Sequence, residues 1–452
     1  MKRHTLIAAA ALLLGGLTAN AAPLRLSLDE AVRRGLTIGE EIQLSASAVA
    51  EAEQQVKAAR SAALPQIDAA VNYNRTIRSP YSFELPDGAA LPFGQANTWI
   101  AQVTINQTLY AAGKIGAGIQ IARDFQGSSE ANAREERQTI ALAIEEAYYG
   151  AVLAAEMAKI AESSGRLMDE QLARVRLQKQ AGNASELDLL RVQVERENLQ
   201  PEITAAQNAR DVATLNLLRL VNLPPDSEVE LDNVLTTETV RPLDVSGIVD
   251  GAVERRPAVA AAQHLVNIRK QQVRIERADS LPTVGASVTL GEQALPSNVL
   301  PGNGDFNSDW SAAVGVRITI FDGGRRAAEV RAAQEVQKQA ELQLAQLKEA
   351  VALEVEQQRR ELARAAEQVG ARTQAVQQAQ HAYELTELSH RVGNATQLDL
   401  MNARAQLRQA TGNHAVAIHD YHLALARLER AAGVMAAEAR PTQAEARPTF
   451  EG

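Results

Sequence analysis

Two aspartates sit at matching places in this chain. Asp188 lies in Gly182-Asn183-Ala184-Ser185-Glu186-Leu187-Asp188-Leu189, and Asp399 in Gly393-Asn394-Ala395-Thr396-Gln397-Leu398-Asp399-Leu400. Carboxylates gathered at one place attract cations and raise one another's pKa. Each also follows a Ser or Thr by three residues, the spacing of a capping box, so support of a helix start accounts for both without further function. A second group is His419, Asp420 and His422. Histidines at i, i+3 on a helix can hold a metal, but this spacing supplies only two plausible ligands, and solvated helix residues are the plainer reading. A third is the run Gly113-Lys114-Ile115-Gly116-Ala117-Gly118. A phosphate loop needs more glycine before the Lys and a Ser or Thr after it, so this run is not one. With no cysteine at all, thiol catalysis, disulfides, Cys-ligated zinc and a lipid anchor on an N-terminal cysteine are excluded. No nucleophile–base set stands out, so the residues imply neither enzyme, metal nor cofactor.

The elements that hold these aspartates are long helices. Gly182 and Gly393 are placed to end a helix in the left-handed conformation, and Ser185 and Thr396 to start the next. Each stretch reads as a four-residue turn between antiparallel helices. The likeness extends well beyond the turns. Trp99 and Trp310, Gly113 and Gly324, Gly182 and Gly393, and Asn222 and Gly433 are each 211 residues apart, while Leu64-Pro65 and Leu281-Pro282 are 217 apart. The chain is therefore a tandem repeat. The six-residue slack falls between Pro65 and Trp99, where a loop absorbs it.

The first residues form an export signal: a basic start at Met1-Lys2-Arg3-His4, an apolar core at 6–17 and a small-residue cleavage site at Ala19-Asn20-Ala21. The core falls short of the ~20 residues that a membrane helix needs, and no other apolar run is long enough. The balance of charge, −9 at pH 7, argues against nucleic acid as the main partner. The expected domains are the signal over 1–21, a first repeat over 22–223, a linker over 224–243, a second repeat over 244–434 and a disordered tail over 435–452.

Within the first repeat, Ser27 and Glu30 open a helix with capping-box spacing, and a second helix over 40–61 ends before Pro65. Ile67, Ala69, Val71 and Tyr73 alternate with polar residues, as do Trp99, Ala101, Val103 and Ile105, so both stretches are strands. The Pro- and Gly-containing segment 75–97 is their loop. The stretch 114–181 reads as one helix, about 100 Å long at 1.5 Å per residue. Its apolar seam, from Ile140 through Ile144, Ala151, Ala158 and Met168 to Val175, has coiled-coil spacing and many small side chains. A shorter helix over 186–221 contains Pro201, whose repeat partner is Gly412, so a bend is expected in both copies. The second repeat gives a helix over 257–277, a strand over 284–290, a loop over 291–309, a strand over 310–320, a long helix over 324–390 and a short one over 397–432.

Four strands, apolar on one face, polar on the other and about ten residues long, suit a tilted membrane strand. Four strands cannot close a barrel, and lipid does not tolerate an open sheet edge. Several chains would have to contribute, two giving eight strands and three giving twelve, with the long helices forming a tube in the same oligomer.

The export signal, the repeated strand–strand–helix–hairpin–helix units and the Gly-x-x-[Ser/Thr]-x-x-Asp turns at Gly182 and Gly393 together resemble the TolC family of outer-membrane efflux channels, over essentially the whole mature sequence. The resemblance implies a mainly α chain with a membrane β-barrel. Long antiparallel coiled-coil helices would form an α-helical tunnel, and four strands per chain would enter a homotrimeric, twelve-stranded barrel in outer-membrane lipid. The loops over 75–97 and 293–309 would face outside. The hairpin tips, Gly182 to Ser185 and Gly393 to Thr396, would face a periplasmic adaptor and an inner-membrane pump. No chemistry is implied, only passive exit of substrates by efflux or type I secretion. Asp399 matches the family's ring-forming aspartate at the pore constriction, and Asn402 stands at its second ring position. In some relatives a Tyr and an Arg latch the closed state. Those positions are His390 and Ala395 here, facing Leu187 and Asp188, so a pH-sensitive His390–Asp188 contact is the expected substitute. The competing reading is a soluble periplasmic coiled-coil adaptor. It explains the helices and the signal, but not two amphipathic strand pairs with a Trp near each second strand.

Overall fold

The computed structural model describes residues 24–77, 96–232, 235–236, 249–302 and 304–435. The signal, most of the 75–97 loop, part of the linker and the tail beyond residue 435 lie outside the described residues. The elements are β1 (Leu24–Leu26), α1 (Leu28–Ile38), α2 (Glu40–Ser61), β2 (Gln66–Arg75), β3 (Asn97–Tyr110), α3 (Lys114–Gln180) and α4 (Glu186–Leu220). They continue with β4 (Val229–Leu231), α5 (Ala252–Arg255), α6 (Pro257–Ala278), β5 (Thr283–Ala294), β6 (Phe306–Arg317), α7 (Arg325–Arg391) and α8 (Gln397–Ala431). The order α2-β2-β3-α3-α4 thus recurs as α6-β5-β6-α7-α8.

Local chemistry accounts for the boundaries. The Ser27 hydroxyl accepts from the Glu30 amide at 3.2 Å and starts α1. Left-handed residues recur at repeat-related places: Ala112 and Gly323, Gly113 and Gly324, Gly182 and Gly393, Asn222 and Gly433. Neither Pro201 nor Gly412 interrupts its helix.

Two compact units can be distinguished. In the first, buried Ala151, Ala158, Met168 and Val175 of α3 follow the predicted seam. Small residues there allow close approach, since a Cβ on Gly165 would lie 2.6 Å from Ile203 Cδ1 of α4. This unit also holds a small parallel sheet that the sequence reading did not foresee. Strand β4, inside the segment read as linker, pairs with β1 from Leu24↔Val229 to Leu26↔Leu231. Fully buried Tyr148 of α3 secures it: its hydroxyl donates to Leu26 O at 2.9 Å and accepts from Asp232 N at 3.0 Å. Arg34 of α1 donates from Nε to Val221 O at 3.0 Å, just past α4.

The second unit contains an antiparallel sheet of order β2-β3-β5-β6. The strands at 66–75 and 97–110 match the sequence reading closely. The 291–309 loop is shorter than expected, because β5 runs to Ala294 and β6 begins at Phe306 and ends at Arg317 rather than Ile320. Backbone pairing of Glu292 with Ser308 and of Gln293 with Asn307 extends the ladder through residues whose side chains look loop-like. In this unit also, buried Arg256, at the start of α6, ties that helix to α3 and to the end of α8. Its Nη2 lies 2.9 Å from Glu135, and its Nη1 donates to the terminal carbonyls of Arg430 and Ala431 at 2.8 and 3.0 Å. Arg430 in turn reaches Glu354 at 3.2 Å.

Candidate functional site

The two helical hairpins have nearly the same construction. Past α3, Gly182 has φ +76°, its amide donates to Lys179 O at 3.0 Å, and the Asn183 amide donates to Gln178 O at 2.8 Å. Past α7, Gly393 has φ +84°, with the matching bonds to His390 O at 3.1 Å and, from Asn394, to Ser389 O at 2.8 Å. Only glycine adopts this conformation without steric cost, and the bond pair is a Schellman motif. Ala184 and Ala395 follow within the turns as small, half-buried residues. In α4, Ser185 Oγ accepts from the Asp188 amide at 3.0 Å, while Asp188 Oδ2 accepts from Ser185 N at 3.3 Å and from its hydroxyl at 2.6 Å. In α8, Thr396 and Asp399 repeat these bonds at 3.2, 2.8 and 2.6 Å. A Lys179–Glu186 ion pair closes the first hairpin.

Asp399 is exposed although it caps. Donation by the Thr396 hydroxyl, and then by the Thr396 amide, holds its carboxyl below the usual range. It therefore carries its charge at neutral pH. Asn402 is also exposed, one turn further along α8, while Leu400 and Ala403 between and beyond them are buried. Position 399 thus presents a fixed negative charge on the outward face of the helix, with a neutral amide beside it.

The expected substitute latch is not formed in this conformation. Among the described residues no hydrogen bond or ion pair joins His390 to Asp188; Asp188 is held by Ser185 and lies 4.0 Å from Arg191 Nη1. Leu187 is exposed, as is its repeat partner Leu398, and so are Leu177 and Leu388 on the preceding helices. Each tip therefore offers apolar side chains beside its charged cap.

Sequence reasoning missed a buried amide pair. Gln171 of α3 and Gln397, the first residue of α8, meet at 3.0 Å, Gln171 Nε2 donating to Gln397 Oε1. Gln171 Oε1 and Gln397 Nε2 are buried without partners. The available signal was a Gln interrupting the apolar seam between Met168 and Val175. His422 is buried and stacks on Tyr149, ring centroids 5.0 Å apart, whereas His419 turns to Asp420 at 3.1 Å. The structure thus directs the two histidines to different neighbours. Among the described residues no group of three His, Asp or Glu is arranged to hold a metal.

The sheet, in the second unit, is a separate candidate surface. Its register sets Ile67, Val71 and Tyr73 beside Ile105, Ala101 and Trp99, and Val103, Ile105 and Gln107 beside Leu290, Val288 and Ala286. Leu290 and Ala286 then meet Trp310 and Val314. Apart from Gln107 this is a continuous apolar face, and it is exposed: Val71 at 69%, Trp310 at 74%, Val314 at 71%. Tyr73 and Trp99 pack with centroids 4.8 Å apart. Strands β2 and β6 each have one neighbour, so both edges are open among the described residues. No helix among the described residues is long and apolar enough to cross a membrane.

The chain is 27% identical over 310 residues to the alkaline protease secretion protein AprF of Pseudomonas aeruginosa. That alignment covers 68% of this chain and 64% of AprF, just under two thirds of its length. It is 24% identical over 436 residues to the outer membrane efflux protein BepC of Brucella suis, covering 96% of this chain and 91% of BepC. The open-state crystal structure of the MtrE outer membrane channel of Neisseria gonorrhoeae shares the fold, with TM-score 0.76 at 18% identity, over 90% of this chain and 89% of that one. The family model described as outer membrane efflux protein matches residues 40–223 and 248–434. With most of its length matched by that model, the chain belongs to the outer membrane efflux protein family.

Proposed function

We propose that three copies of this chain form a passive exit channel, with a twelve-stranded barrel in the outer membrane and a helical tunnel reaching into the periplasm. The observation that carries this reading is the four-stranded sheet with an exposed apolar face and two open edges. In lipid, each open edge would leave backbone donors and acceptors unpaired at several kcal/mol per group, so only closure with further copies satisfies them. The polar face, with Asn72, Gln102, Thr104, Thr289 and Ser311, would then line the water-filled interior.

The tips would meet a periplasmic adaptor and an inner-membrane pump, and their exposed leucines suit such a contact. Asp399 would form the constriction ring with Asn402 beside it. Two effects compete there. The Thr396 bonds hold the carboxyl down, while three like charges near one axis push it up. With the capping bonds in place, the ring retains negative charge at neutral pH and favours cations. His390 would approach Leu187 and Asp188 only in a second arrangement of the hairpins. Cargo delivered by the pump, whether small molecule or protein, would pass without chemical change.

The test is the mass of the purified protein in detergent together with single-channel conductance in a planar bilayer. A trimer giving cation-selective channels, with weaker selectivity in Asp399→Ala, supports both the pore and the ring. A conducting trimer indifferent to that substitution removes the ring and leaves the channel. A water-soluble monomer without conductance overturns the reading and restores the adaptor.

A further inference from the structure

We propose that the two helix ends leading into the sheet bind anionic phospholipid headgroups. The inference rests on the reading of the sheet as membrane-embedded. Its basis is a duplicated sequence. Gln54-Gln55-Val56-Lys57, with Arg60 and Leu64-Pro65 following, recurs as Gln271-Gln272-Val273-Arg274, with Arg277 and Leu281-Pro282. Buried Val56 and Val273 fix the same helix face in both copies. Even a side-chain bond is repeated: Lys57 Nζ donates to Gln54 Oε1 at 3.2 Å, and Arg274 Nη1 donates to Gln271 Oε1 at 3.1 Å.

Lys57, Arg60, Arg274 and Arg277 are all exposed, and none has a carboxylate partner among the described residues. In the second copy a groove of about 630 Å³ lies beside them, lined by Gly113, Gly116, Gln120, Gln271, Arg274 and Arg277. A Cβ on Gly113 or Gly116 would meet nothing within 4 Å, so the glycine side of the groove is open. Of the acidic neighbours, Asp279 is already taken by Lys114, while Glu53 and Glu276 form no ion pair with the four cations among the described residues. The charges are therefore unspent, and they stand next to an apolar surface. Leu64 is 61% and Leu281 49% exposed, and the strands begin at Gln66 and Thr283.

Charge and position together select the occupant. Paired cations one helical turn apart, immediately before an apolar strand face, lie where lipid phosphates stand above hydrocarbon. Zwitterionic headgroups offer no net charge to reward that placement, whereas anionic ones do. Repetition of the motif in both halves of the chain gives a band of such sites around the helix-side rim of a closed barrel, facing the inner leaflet.

The test is native mass spectrometry of the full-length protein with equal amounts of phosphatidylglycerol and phosphatidylcholine, alongside planar-bilayer conductance. The wild-type protein should retain phosphatidylglycerol over phosphatidylcholine by at least about fivefold, the effect of one engaged basic residue at an anionic surface. The combined Lys57→Gln, Arg60→Gln, Arg274→Gln and Arg277→Gln variant should bring the ratio near one with unit conductance unchanged. Exchanging Lys for Arg and Arg for Lys at the four positions should preserve the preference. If the fourfold variant fails to fold, the variants of each pair alone should each lower the ratio. A conducting wild-type protein with no preference, or a well-folded Gln variant that keeps it, overturns the inference and leaves the channel standing. Displacement of the lipid by millimolar inorganic phosphate also overturns it, since the site would then take a free anion. Failure to enter a bilayer at all refutes the membrane reading itself.

Discussion

Replacing Tyr148 by Phe removes one oxygen from a fully buried position and nothing else. That oxygen joins two segments far apart in sequence, donating to Leu26 O at 2.9 Å and accepting from Asp232 N at 3.0 Å. Each bond contributes about 1 kcal/mol net, and a buried backbone group left without a partner adds to the loss, so Tyr148→Phe should cost about 2–3 kcal/mol locally. The consequence is confined to β1, β4 and the residue after it, because the ring stays in place. Hydrogen exchange read by mass spectrometry measures this directly. Two kcal/mol corresponds to exchange faster by about 30-fold at the amides of 229–232 if they open locally. The tyrosine also predicts its own pH dependence. Burial, the largest cause, pushes the phenol up to about 12 from its ordinary 10.0. A folded-state value above the unfolded one means that the contribution is complete below pH 10 and is lost as pH rises toward 12. Unchanged protection of 229–232 in Tyr148→Phe would refute the assignment of this hydroxyl as the tie.

Other substitutions test the remaining parts. Thr396→Ala removes the main bond that holds the Asp399 carboxyl low, so the pH midpoint of cation selectivity should move upward relative to wild type; an unmoved midpoint would show that the cap does not set the charge. The same lowered pKa means that the stability contributed by Asp399 is present above the ordinary carboxylate range and is lost as pH falls through the folded-state value. Arg256→Met removes the donor to the last carbonyls of α8 and the nearer of the two guanidinium groups at Glu135, leaving Arg430 at 3.3 Å, and should destabilise by about 2–3 kcal/mol in denaturant unfolding. Gly165→Ala should be nearly neutral, because the roughly 1 kcal/mol gained in helix propensity offsets rotation of Ile203, whereas Gly165→Leu should cost about 1–3 kcal/mol by overpacking, seen as a lower melting temperature.

The sequence discloses the hairpins almost completely, since Gly182, Ser185 and Asp188 form a motif complete within a few residues whose geometry is set by backbone sterics and one side-chain bond. The long helices are legible for a related reason: their seam repeats many times, so single departures do not hide it. What escapes is short or distant. Strand β4 has three residues, Val229-Glu230-Leu231, too few for alternation to show. Strand β6 starts earlier than alternation suggests, because Asn307, Ser308 and Asp309 have the polarity of a loop, yet a backbone ladder does not require apolar side chains. The Gln171–Gln397 pair spans 226 residues, and nothing local announces that a Gln in the α3 seam will meet the first residue of α8. The capping half of the Asp399 reading comes from spacing alone. Its ring half depends on neighbouring copies, about which a single chain's spacing says nothing.

The repeat-related left-handed positions have one more consequence. Where Gly323 stands in one half, Ala112 stands in the other at φ 51°, and where Gly433 stands, the first half has Asn222 at φ 54°. Gly113 and Gly324, like Gly182 and Gly393, are glycine in both halves. The molecule thus carries its own substitution record, each half serving as a natural variant of the other. That record separates turns where the backbone tolerates a side chain from turns where both lineages of the duplicated unit have kept none. It offers an engineer a ranking of the glycines before any library is made: Gly323, with open space around it, is the one to fill first, whereas a Cβ on Gly433 would lie 3.1 Å from the Arg255 backbone.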